Sequence, residues 1–179
     1  IEILGLFTQV AAVLVTDGLQ YQFLDVSRGE LDEGEMTPSL LWQYARVDLR
    51  PEQAVDLLLG VPRPLAGLVP DGAETLAENG VAVLLRGESA AAWQRYEFDA
   101  DARLRRVATL DPVGDLVWEA SYDGYQDVGG AAFPFKVRLR FPRLDAETRV
   151  DYKTVHLNPD LPEGTFVLNV PGRGHGSKR

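Results

Sequence analysis

The chain has 179 residues, within the ~100–200 that a single domain usually holds, and its 45% hydrophobic and 25% charged content excludes a disordered, collagenous or coiled-coil polypeptide. Eighteen basic against 27 acidic residues give a formal net charge of −9, so a general phosphate-backbone binder would work against its own field and nucleic acid is not an expected partner. Cys is absent, which excludes disulfides, thiolate metal ligands and Cys nucleophiles together.

The first residue is Ile1, and the chain opens directly in the strand-like Ile1–Phe7. That is the expectation for a trimmed or processed protein whose signal or lipid anchor lies upstream. Val10–Val15, the turn signal Asp17-Gly18 and the alternating Leu19–Phe23 predict a hairpin with Tyr21 and Phe23 on the face of Leu19. Acidic, Gly-containing Ser27–Glu35 predicts an exposed loop. Thr37-Pro38 follows as an N-cap with Pro at the first helical position, predicting a short helix whose apolar face is Leu40, Leu41 and Tyr44. Pro51 opens a second helix, with Glu52 in its first turn, a stripe of Val55, Leu58 and Leu59, and Gly60 as its stop. Pro62, Pro64 and Pro70 make Val61–Gly72 a loop.

After Gly80 the segments Val81–Leu85, Trp93–Phe98, Leu104–Leu110, Leu116–Tyr122, Phe135–Phe141, Thr148–Leu157 and Thr165–Val170 read as strands. Phe135, Val137, Leu139 and Phe141 alternate with Lys136, Arg138 and Arg140, which places one face in an apolar interior and the other in water. Short turns connect antiparallel neighbours, so the expected class is mainly β: a curved antiparallel sheet forming an incomplete, half-open barrel with short lid helices. The tail 172–179 lacks periodicity and is expected to be flexible.

Catalytic chemistry is sparse. His156 falls in a strand pattern and His175 in the tail, too far apart for a metal site. Asp99 and Asp101 lie where Asp serves a turn, and no Gly-x-Ser-x-Gly elbow or phosphate loop has its structural context. No enzyme, metal or cofactor is expected. Arg103, Arg105 and Arg106, with Lys136, Arg138 and Arg140, read first as a solvated sheet face, with a patch for an anionic headgroup or acidic partner as the alternative. The aromatic set Tyr21, Phe23, Trp93, Tyr96, Phe98, Trp118, Phe135, Phe141 and Phe166 exceeds what two short helices would cover.

Three stretches carry a family resemblance. They are Pro51–Pro62 with Pro64 beyond it, Arg95–Asp99 followed by Leu104, and Phe133–Val137 with Val155–Phe166, where an Asn-Pro turn leads to a final Phe-containing strand. Together they resemble the bacterial lipoprotein-localisation superfamily of LolA-type periplasmic carriers and LolB-type outer-membrane receptors. The resemblance spans most of 1–171, read as one lipid-binding domain. The first helix and further strands of the family, and the receptor's lipid-anchored Cys, are absent from this sequence. What the resemblance implies is non-enzymatic binding of the acyl chains of lipoproteins or lipids in an apolar cavity. It places the protein in the periplasm or on the periplasmic face of the outer membrane, with a membrane-bound partner or the membrane itself as docking target. The expected lining is Tyr21, Phe23, Leu58, Leu59, Trp118, Phe135, Val137, Leu139 and Phe166, with Val55 on the lid. The rival expectation is an envelope scaffold or interaction module whose cavity is filled by its own side chains.

Overall fold

The computed structural model describes residues 2–4, 10–37, 39–45, 49–87, 92–162, 164–165 and 167–168. Its contacts divide the chain into two compact units, Ile1–Leu40 with Pro159–Arg179, and Leu41–Asn158.

In the first unit β1 (Glu2–Leu4), β2 (Val10–Thr16), β3 (Gln20–Asp25) and β4 (Glu30–Glu35) form a four-stranded antiparallel sheet in sequence order. The predicted hairpin is β2–β3. Its turn is fixed because the Asp17 carboxylate accepts the N–H groups of Leu19 and Gln20, both at 2.8 Å, while Gly18 takes a φ of +94°. Two thirds of the expected acidic loop is instead β4, an edge strand. Leu31 pairs with Leu24 across the β3–β4 ladder, so backbone pairing overrides the low strand propensity of Glu and Asp. Gln22 accepts the N–H of Leu168 at 2.7 Å, fastening the later segment of this unit to β3.

The helical insertion comprises α1 (Leu40–Ala45) and α2 (Pro51–Leu58). Pro51 starts α2, and the Gln53 side chain reaches back to accept the Arg50 N–H at 3.1 Å. Gly60, with φ +73°, ends it in the left-handed conformation as the sequence predicts. The buried side of α2 is Pro51, Ala54 and Leu57, while Val55 and Leu59 are 52% and 47% exposed. The inward face is therefore rotated off the stripe expected from apolar spacing.

The second unit contains a seven-stranded antiparallel sheet of β5 (Val69–Thr75), β6 (Val81–Arg86), β7 (Trp93–Phe98), β8 (Leu104–Leu110), β9 (Leu116–Val128), β10 (Ala131–Phe141) and β11 (Ala146–Asp151), again in sequence order. Register rows separate its two faces. Leu85, Gln94, Thr109 and Trp118 stand opposite one another, as do Val83, Tyr96, Val107, Ala120 and Leu139, then Tyr122 and Val137. Most of these side chains are buried, with Val107 and Ala120 fully so. The other face carries a ladder of ion pairs: Arg95 to Glu74 and Glu97, Arg106 to Glu97 and Glu119, Arg140 to Glu119. The basic strand faces read from the sequence are thus mostly matched by carboxylates on neighbouring strands.

The curved, half-open barrel is not formed. The described strands make two open sheets whose order is linear, and the larger sheet neither curls nor closes, with β5 and β11 as unpaired edges. Local chemistry explains both edges. In β5 Pro70 lacks a donor and the register slips between Pro70 and Gly72, which blunts the strand as a pairing partner. β11 stops at Asp151, so the strand expected to run to Leu157 ends early, and His156 lies exposed in irregular chain. Val61–Gly72, expected to be loop throughout, gives its last residues to β5.

Candidate functional site

One end of α2 and the Pro-rich segment after it are strapped across the apolar face of the seven-stranded sheet. Three polar anchors do this. The Tyr152 hydroxyl donates to the Leu58 carbonyl at 2.9 Å, the Tyr96 hydroxyl donates to the Pro62 carbonyl at 3.4 Å, and the Leu65 N–H donates to the Gln94 side chain at 2.8 Å. Gln94 is 1% exposed and also donates to the Thr109 hydroxyl at 3.2 Å, so a buried amide finds partners on both sides. Gly60 makes the close approach possible. A Cβ there would lie 2.6 Å from Pro134 Cγ, and Tyr122 Cδ1 stands just behind at 3.9 Å.

Where the strap leaves the sheet it borders a cleft of about 700 Å³, lined by Gly60, Val61, Pro62, Tyr96, Phe98, Asp101, Ala102, Arg103, Leu104, Tyr125 and Ala132. The β7–β8 turn shapes one wall. Asp99 accepts the N–H groups of Asp101 at 3.0 Å and Arg103 at 2.9 Å, which is the turn role expected of it, and Ala102 is held at φ +59°. Tyr125 forms another wall, its hydroxyl donating to the Leu104 carbonyl at 2.5 Å. Burial pushes the Tyr96 and Tyr125 phenols up to about 12, so both stay neutral donors at any physiological pH. Tyr122 is 1% exposed, its hydroxyl has no hydrogen-bond partner among the described residues, and burial pushes its ionisation up further still. The cleft is therefore a mixed recess of aromatic and aliphatic carbon with neutral hydroxyls, edged by the Asp101–Arg103 ion pair at 3.3 Å.

The residues expected to line a cavity are distributed differently. Trp118, Val137 and Leu139 are 7%, 2% and 5% exposed, packed on the apolar face of the sheet. Leu58 is half-buried at the end of α2, and Val55 and Leu59 point outward. Phe135 is half-buried and meets Phe133 edge-on at 6.0 Å, and Phe133 in turn meets Tyr152 at 5.3 Å. Tyr21 and Phe23 are half-buried on β3 of the first unit, and Phe166 lies outside the described residues. The structure thus brings Trp118, Val137, Leu139 and Phe135 onto one sheet, beside the cleft rather than on its walls. Sequence reasoning singled out Tyr96 and Phe98 as aromatic but not as lining. It missed Leu104 and Tyr125, whose only signal was their position flanking turns. Among the described residues no three His, Asp or Glu side chains cluster to hold a metal, and no helix is long and apolar enough to cross a membrane.

No family model matches the chain, and no curated protein matches its sequence. Its fold is similar to that of a DUF1329 family protein from Desulfovibrio piger ATCC 29098, with a TM-score of 0.56 and 14% identity over 87% of this chain and 68% of that one. It is also similar to a Vibrio parahaemolyticus structure described as an outer membrane lipoprotein-sorting protein domain, with a TM-score of 0.50 and 11% identity over 83% of this chain and 63% of that one. The chain thus spans less than two thirds of the Vibrio protein's length. At such identities the likeness shows a shared, mainly antiparallel β fold.

Proposed function

We propose that the protein is a non-enzymatic binding domain of the bacterial envelope, of LolA/LolB type, that shelters an acyl chain of a lipoprotein or lipid. Residues 1–171 are taken as its working domain. It would act in the periplasm or on the periplasmic face of the outer membrane, with a membrane-bound partner or the membrane itself as docking target. The observation that carries this reading is the cleft beside the strap, with Val61, Phe98, Leu104 and Ala132 as apolar contacts. The likeness to the Vibrio domain supports it at the level of fold. In this proposal the expected lining residues on α2 and β10, Leu58, Leu59 and Phe135, receive the chain as it extends from the cleft along the strap, and Val55 lies on the movable cover.

Magnitudes allow capture. Burying a chain of about fourteen methylenes at ~0.8 kcal/mol each gives roughly 11 kcal/mol, a driving force that a bilayer offers almost equally. Transfer between protein and membrane would then be near balance, its direction set by small differences in cleft packing.

One observation favours the scaffold reading instead: Trp118, Val137 and Leu139 are already packed by the protein's own side chains. The experiment that separates the two is uptake of a fluorescent fatty acid, together with organic extraction of the purified protein. A binder takes up the probe, and Phe98→Asp weakens uptake at least about tenfold, as replacing an apolar wall of the cleft by a carboxylate implies. A scaffold yields no lipid and no uptake, with Phe98→Asp altering only the melting temperature.

A further inference from the structure

The charged face of the seven-stranded sheet carries a second recess, of about 460 Å³, to which Arg105, Ser121, Lys136, Arg138 and Arg149 contribute. It lies on the opposite side of the sheet from the acyl cleft and stands independently of that reading. Over the rest of this face each arginine answers a carboxylate, but here the ladder loses its alternation. The register sets Arg138 directly opposite Arg149 on one side and Ser121 on the other. Like charges directly opposite one another destabilise an antiparallel pair. One carboxylate serves both, since Glu147 lies 2.5 Å from Arg149 and 3.8 Å from Arg138. In the next row Lys136 stands between Asp123 and Asp151, yet makes no salt bridge among the described residues. Asp123 is held by its own turn, accepting the Gly124 N–H at 2.7 Å, and by Arg105 at 3.3 Å. Four cations therefore face three carboxylates in a chain whose net charge is −9.

We propose that this recess binds the phosphate of an anionic phospholipid headgroup, with the Arg138 and Arg149 guanidinium forks and the Ser121 hydroxyl as donors and Lys136 as a point charge. Guanidinium forks match phosphate oxygens in pairs, and a phosphate between Arg138 and Arg149 relieves their repulsion. A membrane is the source that fits. The Arg105, Arg138 and Arg149 side chains are 46%, 55% and 66% exposed, so water competes strongly for a lone phosphate. A bilayer presents many phosphates at once, and its surface potential adds attraction for every cation. Asp123 and Asp151 also line the recess, on either side of Lys136, so its attraction acts at close range rather than steering from afar.

The test is flotation of the full chain with phosphatidylcholine vesicles, with and without phosphatidylglycerol. The expected result is binding that depends on phosphatidylglycerol and falls at least about tenfold in the double variant Lys136→Gln, Arg149→Gln. Glu147→Gln removes the shared counter-charge and is expected to strengthen binding severalfold, a direction that a merely structural role would not produce. Arg95→Gln, on the same face but within the alternating ladder, should leave binding within about twofold. Thermal melts confirm that each variant folds. Equal binding to both vesicles, an equal loss in Arg95→Gln, or no gain in a folded Glu147→Gln protein overturns the proposal. So does binding of inorganic phosphate in solution without binding to vesicles.

Discussion

Single residues at the strap carry opposite predictions. Gly60 combines a φ of +73° with a Pro134 carbon 2.6 Å from where a Cβ would stand. Gly60→Ala therefore pays backbone strain of about 1 kcal/mol and a clash as well, and an overall loss of roughly 2–3 kcal/mol is expected in urea unfolding. A loss below the strain alone would mean that the strap has shifted away from β10. Tyr122 behaves in the reverse sense. Its buried hydroxyl lacks a partner among the described residues, so Tyr122→Phe removes a group that costs about 1–3 kcal/mol to bury unpaired. Unfolding measurements on Tyr122→Phe should show stability unchanged or raised by about 1 kcal/mol, whereas a clear loss would mean that an ordered water satisfies the phenol. Neither effect was legible beforehand. The sequence marks Gly60 as a helix stop, but what it nearly touches is set by strand β10, more than seventy positions away.

At the scale of elements, what the sequence announced best was alternation. Leu116 to Tyr122 and Phe135 to Phe141 read as half-buried strands, and the structure pairs them in one uninterrupted register. Hairpin β2–β3 and the start of α2 were equally readable, because an Asp-Gly turn and a Pro at the first helical position act locally. The face of α2 was not. Its apolar stripe of Val55, Leu58 and Leu59 has the right spacing, yet Pro51, Ala54 and Leu57 turn inward, since the anchors at Tyr152, Tyr96 and Gln94 fix the rotation. The ion-pair ladder lies between these cases: alternation placed its arginines on one face, while their partners depended on a register that only the folded sheet has. Glu119 accepts from both Arg106 and Arg140 with its side chain only 15% exposed. Glu119→Gln leaves two guanidinium groups short of a partner, and a loss of about 1–2 kcal/mol is expected. Glu147→Gln at the edge strand should cost less than Glu119→Gln, and added salt should reduce both effects. Equal losses at the two positions would show that burial does not grade the ladder.

For the molecule as a whole, strand alternation and short turns pointed correctly to a mainly antiparallel β chain, but closure into a half-barrel could not be read from them. Closure depends on whether the first and last strands of a sheet meet, and strand patterns look the same in open and closed sheets. The open sheet concentrates its tyrosines on the strapped face, and that has a consequence for stability against pH. Burial raises Tyr96 and Tyr125 to about 12 and Tyr122 higher, against about 10 for a phenol in an unfolded chain. Between those values the unfolded chain releases protons that the folded one retains, so alkali favours unfolding. The contribution is fully present below about pH 10 and is lost as pH rises towards 12, at about 1.4 kcal/mol per pH unit for each such phenol at full slope. Tyr96 and Tyr122, the two buried phenols, carry most of this loss, and the part-exposed Tyr125 adds less because water screens it. Growing self-repulsion of an already acidic chain acts in the same direction, but salt screens repulsion and does not restore a buried phenolate. Urea unfolding across this range, at low and high salt, should therefore show a steep loss that persists at high salt and becomes shallower in Tyr122→Phe. A loss abolished by salt would assign the alkaline transition to surface charge instead of the buried tyrosines.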